Sequence, residues 1–197
     1  MKKIYLLIIT LLSLPPLAHA QKELREGLPF KHTITIHKAD GIYQIAELRA
    51  QKDAARADPK KVYYWYLRDS IQQTQGVYQG RLLHGNYQER YANRSLKVLG
   101  HYYKGLRHGE WRYLDPNGTL RRRSTWVYGE ESGKYRLYNE NGHLKEKGML
   151  YQGKREGVVI SYQAQDSVKR SYTRYKHNKA TEGRVGWLGK IWAMIKF

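Results

Sequence analysis

The chain has 197 residues, with 36 Lys and Arg against 17 Asp and Glu, a formal net charge of +19 and no cysteine. The lack of cysteine excludes a disulfide framework, a thiol nucleophile and a Cys-based zinc site, so stability must come from packing. The one-sided charge directs attention to anionic partners: nucleic acid, acidic lipid headgroups, lipopolysaccharide or an acidic protein.

Residues 1–20 read as a secretory signal. Lys2 and Lys3 form a charged start, Ile4 to Leu14 an apolar run, and Ala18-His19-Ala20 a small-x-small cleavage site. A membrane anchor is the alternative, but the run is shorter than the roughly 20 residues that span a bilayer. Cleavage near Ala20 would leave a chain exported to the periplasm or cell surface, still at a formal +17 once Lys2 and Lys3 are gone. Export makes nucleic acid the least accessible polyanion, so it is not expected as a partner. No later apolar run reaches spanning length, so no transmembrane segment is expected in the mature chain.

Residues 21–60 read as a leader and a cap. Gln21 to Pro29 has no periodicity. Thr33 to His37 alternates apolar and polar as a half-buried strand does, and Asp40-Gly41 before Ile42-Tyr43-Gln44-Ile45 predicts a hairpin whose turn tolerates positive φ. Ala46 to Ala57, polar and alanine-rich, is open to a short exposed helix or a long loop, ended by Asp58-Pro59.

A repeat begins at Lys61 and runs through residues 61–175. Gly85, Gly109, Gly133 and Gly157 recur every 24 residues, a period that signals an array of supersecondary units. Columns of large β-favouring residues share that period: Tyr63, Tyr87, Trp111, Tyr135, Val159; Tyr78, Tyr102, Trp126, Leu150; and Leu96, Leu120, Leu144, Val168. Such residues fit a pleated surface on which equivalent positions stack. Lys61 to Gln75 reads as a partial first unit.

Two kinds of punctuation alternate. Asp115-Pro116-Asn117-Gly118 and Glu140-Asn141-Gly142 are Asn-Gly hairpin signals, with Asn93-Arg94 and Gln165-Asp166 as weaker versions. The other kind is a pair of glycines four apart, as in Gly105 to Gly109. Two turns per unit predict two strands of about six residues each. The expected fold is therefore all-β: one elongated antiparallel meander of repeated hairpins, with a short N-terminal hairpin cap and a short C-terminal helix.

Tyr103-Lys104-Gly105-Leu106-Arg107-His108-Gly109-Glu110-Trp111, Tyr128-Gly129-Glu130-Glu131-Ser132-Gly133-Lys134-Tyr135 and Tyr151-Gln152-Gly153-Lys154-Arg155-Glu156-Gly157 resemble MORN repeats. They look like the bacterial MORN-variant type found in YwqK-family antitoxin-type proteins. The resemblance implies a sheet of hairpins that holds membranes or proteins, and an antitoxin or immunity-like protein that binds and neutralises a toxin. The residue after each periodic glycine departs from the usual second glycine, being Asn86, Glu110, Lys134 and Val158.

One column has a sharper chemical meaning. Lys97, Arg121, Lys145 and Lys169 follow the leucine column in four successive units, and units two strands apart would space them by about 10 Å. Reinforced by Arg112, Arg123 and Arg136, this stripe would track anionic groups on a lipid surface, on lipopolysaccharide or on a protein partner. The alternative is a solvated face that keeps a long sheet soluble.

No enzyme is expected. No Gly-x-Ser-x-Gly, His-Glu-x-x-His or phosphate-loop pattern occurs, and His84 and His108, though in phase, would lie too far apart to ligate one metal. No cofactor is implied. The protein is read as a non-catalytic binding or scaffold module.

The tail, residues 176–197, leaves the repeat. Trp187, Leu188, Ile191, Trp192 and Ile195 fall at helical spacing, with Lys190 and Lys196 outside that face. A short amphipathic helix there would either cap the last sheet edge or rest at a membrane interface.

Overall fold

The protein is described here from a computed structural model, which describes residues 32–49, 57–163, 166–181 and 185–196. The signal, the leader and most of the alanine-rich stretch lie outside the described residues, as does the turn at Gln165.

The described residues form thirteen strands and one helix. The strands are β1 (His32–His37), β2 (Tyr43–Leu48), β3 (Val62–Leu67), β4 (Ser70–Gln75), β5 (Arg81–Arg90), β6 (Leu96–Tyr103), β7 (Leu106–Leu114), β8 (Leu120–Val127), β9 (Glu130–Tyr138), β10 (Leu144–Tyr151), β11 (Lys154–Gln163), β12 (Asp166–Lys176) and β13 (Lys179–Ala180). Helix α1 covers Trp187–Ile195. From β5 to β13 each strand pairs antiparallel with the next in the chain, giving one open meander. The all-β repeat architecture is thus present, with β6 to β12 running to 8–11 residues rather than six.

Two placements differ from the sequence reading. Ala46 to Leu48, expected to open a helix or loop, complete β2 instead, because Gln44, Ala46 and Leu48 alternate into the core and pair beside β5. The hairpin β3–β4, expected to be the first unit of the array, leaves the meander. It touches β5 through only the pairs Trp65↔Leu82 and Tyr66↔Arg81, and β2 takes the place beside β5. Aromatic side chains on both faces of β3 explain this. Tyr63 and Trp65 bury against Leu82 and Leu106, while Tyr64 and Tyr66 pack against the cluster of Leu83, Tyr87, Tyr102 and Trp111. A strand with two apolar faces is more stable sandwiched than exposed on one side.

The turns are also assigned differently. Lys104-Gly105, Tyr128-Gly129 and Gln152-Gly153 are two-residue loops with positive φ at both positions, the type I′ geometry that matches strand twist. The Asn-Gly sites are three-residue loops: Gly118 donates its N–H to Asp115 O, and only Gly118 has positive φ. The Asn117 side chain accepts from the Thr119 N–H (3.0 Å). The periodic glycines Gly85, Gly109, Gly133 and Gly157 are not turn residues but β-bulges inside strands, all with positive φ, where three residues oppose one on the partner strand.

The bulges position the core. One row across the sheet alternates small and large: Ala46, Tyr87, Gly100, Trp111, Ser124, Tyr135, Gly148, Val159. The large members and Ser124 are buried, Trp111 and Ser124 completely. The Trp111 ring lies over Gly100 and the Tyr135 ring over Gly148, and Tyr102 meets the rings of Tyr87 (5.3 Å) and Trp111 (5.0 Å) edge-on. Successive units are tied at their I′ turns as well. The N–H of Gly105 donates to Leu83 O (2.7 Å), that of Gly129 to Arg107 O (2.9 Å), and that of Gly153 to Glu131 O (2.8 Å).

Candidate anion-binding face

Residues directly opposite in a ladder project to the same face of the sheet. The register places Leu99 opposite Arg112, Arg112 opposite Arg123, Arg123 opposite Arg136, Arg136 opposite Lys147, Lys147 opposite Ile160 and Ile160 opposite Tyr172. Four consecutive strands, β7 to β10, therefore carry a cation at facing positions. At about 4.8 Å per strand, the four charges occupy about 14 Å.

Facing like charges destabilise a sheet, and one acid partly relieves them. Glu110 accepts from Arg112 Nε (2.7 Å) and from the Arg123 guanidinium. Partial burial pushes the Glu110 carboxyl up, but the hydrogen bonds from Arg112 and Arg123 outweigh it and hold the group below the ordinary range. At the other end, burial and then the neighbouring charges of Arg136 and Arg170 push the Lys147 ammonium down. Arg112 and Arg123 keep about half and two-fifths of their side chains in water, so the row offers guanidinium donors to solvent.

The regularly spaced column from the sequence occupies a different kind of position. Lys97, Arg121 and Lys145 each sit where the register skips a residue beside the three-residue loop. Lys97 pairs with Glu89 (2.8 Å) and lies over the Tyr91 ring. Arg121 pairs with Asp115 (3.4 Å), and Arg121 and Lys145 line a shallow polar depression with Tyr138, Asn139, Glu140 and Asn141. Lys169 falls on β12, but its side chain lies outside the described residues. Arg112, Arg123 and Arg136 are brought together by the register, and Lys147 completes their row. Lys147 is 24 residues after Arg123, so the period could have supplied it.

His84 and His108 lie in β5 and β7 rather than in turns, and both are packed by tyrosines. His84 accepts the Lys104 N–H (3.2 Å) and meets the Tyr103 ring at a tilt, while His108 meets the Tyr128 ring at a tilt with centroids 4.7 Å apart. Among the described residues no group of three His, Asp or Glu side chains is placed to hold a metal ion.

The tail residues are brought together on α1, which packs on the face of β11 and β12. Ala193 is its buried residue, whereas Trp187, Leu188, Trp192 and Ile195 are exposed. No helix of the described residues is long and apolar enough to cross a membrane.

No protein-family model matches the chain, and no curated protein matches it. The fold and the face define an antiparallel repeat sheet with a cation row across four strands.

Proposed function

We propose that the protein is a non-catalytic, exported binding module of the cell envelope whose basic sheet face holds an anionic partner. The observation that carries this reading is the row Arg112, Arg123, Arg136 and Lys147, four cations at facing positions, the first two of which share Glu110. A sheet that keeps like charges in register gains when an anion neutralises them, and guanidinium groups are suited to paired hydrogen bonds with phosphate or carboxylate oxygens. The sequence supports the compartment through the signal at residues 1–20. The resemblance to MORN-variant repeats is in keeping with a role in binding rather than chemistry.

The test replaces Arg123, Arg136 and Lys147 by Gln together and measures binding of inorganic polyphosphate and of lipopolysaccharide by calorimetry. Affinity should fall at least tenfold, with a weaker dependence on salt. Unchanged binding would remove the basic face from the function, and capture of one stoichiometric toxin-like protein at an undisturbed row would favour an immunity role instead.

A further inference from the structure

Helix α1 is amphipathic in the opposite sense to a cap. It approaches the sheet through its small residues: Ala193 is buried, and a side chain on Gly189 would meet Val185 Cγ1 at 3.0 Å and Arg174 Nη2 at 3.5 Å. Gly189 and Ala193 are one turn apart and share a face. Much of its large apolar surface is consequently left in solvent, with Trp187 70% exposed, Leu188 62%, Trp192 67% and Ile195 79%, while Ile191 is half-buried and Trp192 also edges a cleft with Leu150 and Val158. A helix that served only to close the sheet would turn those residues inward.

The position of α1 relative to the cation row is fixed by contacts. The row continues from Lys147 through Ile160 to Tyr172, and Lys190 of α1 lies over the Tyr172 ring at 5.4 Å. Arg170, two residues from Tyr172 and therefore on the same face, places Nη1 3.3 Å from Met194 Sδ of α1. Helix and cation row thus share one face of the sheet. The flanks of the exposed apolar surface are basic, through Lys190 and Lys196, and α1 contains no acidic residue. Lys196 lies over the Trp192 ring at 5.5 Å.

We infer that this face seats on an anionic lipid bilayer, with α1 as the element that enters it. Trp187, Leu188, Trp192 and Ile195 reach the boundary between headgroups and acyl chains, while Lys190, Lys196 and the row Arg112, Arg123, Arg136 and Lys147 meet headgroup phosphates. The inference rests on the basic-face reading and narrows its anionic partner to a lipid surface. A soluble polyanion or an acidic protein groove satisfies the cations but has no need of four exposed apolar side chains beside them. A bilayer surface supplies both an anionic plane and an apolar layer beneath it. Nine residues of helix reach only about 14 Å, so the contact lies in the interface and does not span, with indoles and lysines at the depth they favour.

The experiment uses the purified protein with vesicles of phosphatidylcholine alone or mixed with phosphatidylglycerol. Association is measured by co-sedimentation, and depth by quenching of tryptophan fluorescence with acyl-brominated lipid. The protein should bind the anionic vesicles at least tenfold more strongly than the neutral ones, and its fluorescence should be quenched. W187S/L188S/W192S/I195S should lose vesicle binding at least tenfold yet keep its affinity for inorganic polyphosphate, with an unchanged melting curve because these residues are exposed. W187F/W192F, which keeps apolar bulk, should retain binding but lose the quenching. If the serine variant binds vesicles like the parent, the lipid contact is overturned while the basic-face reading stands. A parent that is a dimer by sedimentation velocity, with a monomeric serine variant and no vesicle binding by either, would also overturn it, as a contact between copies. If R123Q/R136Q/K147Q leaves polyphosphate binding unchanged, it is the basic-face reading that fails.

Discussion

The indole of Trp111 lies directly over Gly100 on the neighbouring strand, so close that a β-carbon at Gly100 would overlap three of its ring carbons. Gly100 has ordinary φ and is needed for space alone, whereas Gly109, at φ +73 with nothing within 4 Å, is needed for its backbone alone. Gly100→Ala should therefore destabilise by overpacking, by about 1–3 kcal/mol, and shift the tryptophan fluorescence. Gly109→Ala should cost about 1–2 kcal/mol through its left-handed backbone and leave that signal in place. Chemical denaturation of both variants, read by intrinsic fluorescence, separates the two causes.

The cation row sets stability against binding. Replacing Lys147 by Gln removes a positive charge facing Arg136, and should stabilise the fold by about 0.2–1 kcal/mol at low salt. The gain should shrink as salt rises and the charges are screened. The same variant should bind polyphosphate more weakly, so thermal melts and calorimetry should move in opposite directions.

Glu89 should make the fold acid-sensitive. Its carboxylate accepts from the Tyr87 hydroxyl (2.9 Å) and pairs with Lys97 (2.8 Å), with Gln44 at 3.5 Å. Burial pushes this carboxyl up, but the bonds from Lys97, Tyr87 and Gln44 prevail and leave it below its ordinary value of 4.5. A carboxyl depressed by folding contributes stability that is complete above its unfolded value and fades as pH falls through the folded one. Glu89→Gln should cost about 1–3 kcal/mol at neutral pH, and its melting temperature should begin to approach that of the parent as pH falls past the ordinary value of 4.5 and meet it only below the lower folded value.

Arg107 ties the stray hairpin to the meander. Its guanidinium lies 5.1 Å from the Tyr64 ring centroid on β3, 4.8 Å from Trp111 and 4.9 Å from Trp126. Burial opposes its charge, but the surrounding Tyr113, Tyr102 and Tyr64 favour it and leave the group more strongly basic than usual. Arg107→Ala should cost about 2 kcal/mol, since desolvated cation–π contacts reach that size. Arg107→Lys should restore little of it, because an ammonium cannot present a plane to three rings. Urea titrations of the three proteins provide the comparison.

The 24-residue period and its aromatic columns were sufficient to read the meander, because each unit repeats one alternation of large and small residues. What the period could not supply was the register within a unit. A bulge at Gly109 sets Leu99 opposite Arg112, and a skipped residue at Arg121 keeps Arg121 out of the row in which Arg112 meets Arg123. Nothing local marks β3 for departure either. Tyr63 and Trp65 fit the array's pattern as well as they fit the pocket formed by Leu82 and Leu106, and the choice is made by β2, distant in sequence, occupying the edge of β5. The helical spacing of the tail is enough to place a short C-terminal helix. Its direction was not legible, since Gly189 and Ala193 carry no signal until the sheet surface they approach is known.

The bonds that tie each I′ turn to the unit before it also govern how the sheet behaves under tension. The edge strands β1 and β13 lie at opposite margins of the sheet, so a pull applied across it opens ladders one hydrogen bond at a time instead of shearing them together. The bond from the Gly129 N–H to Arg107 O, and its counterparts at Gly105 and Gly153, span neighbouring hairpins and make the two-stranded unit, not the single strand, the quantum of extension. Each release pays out 24 residues, about 80 Å of slack. A protein held at one margin would therefore lengthen in regular steps at low force, acting as an extensible tether rather than a rigid strut.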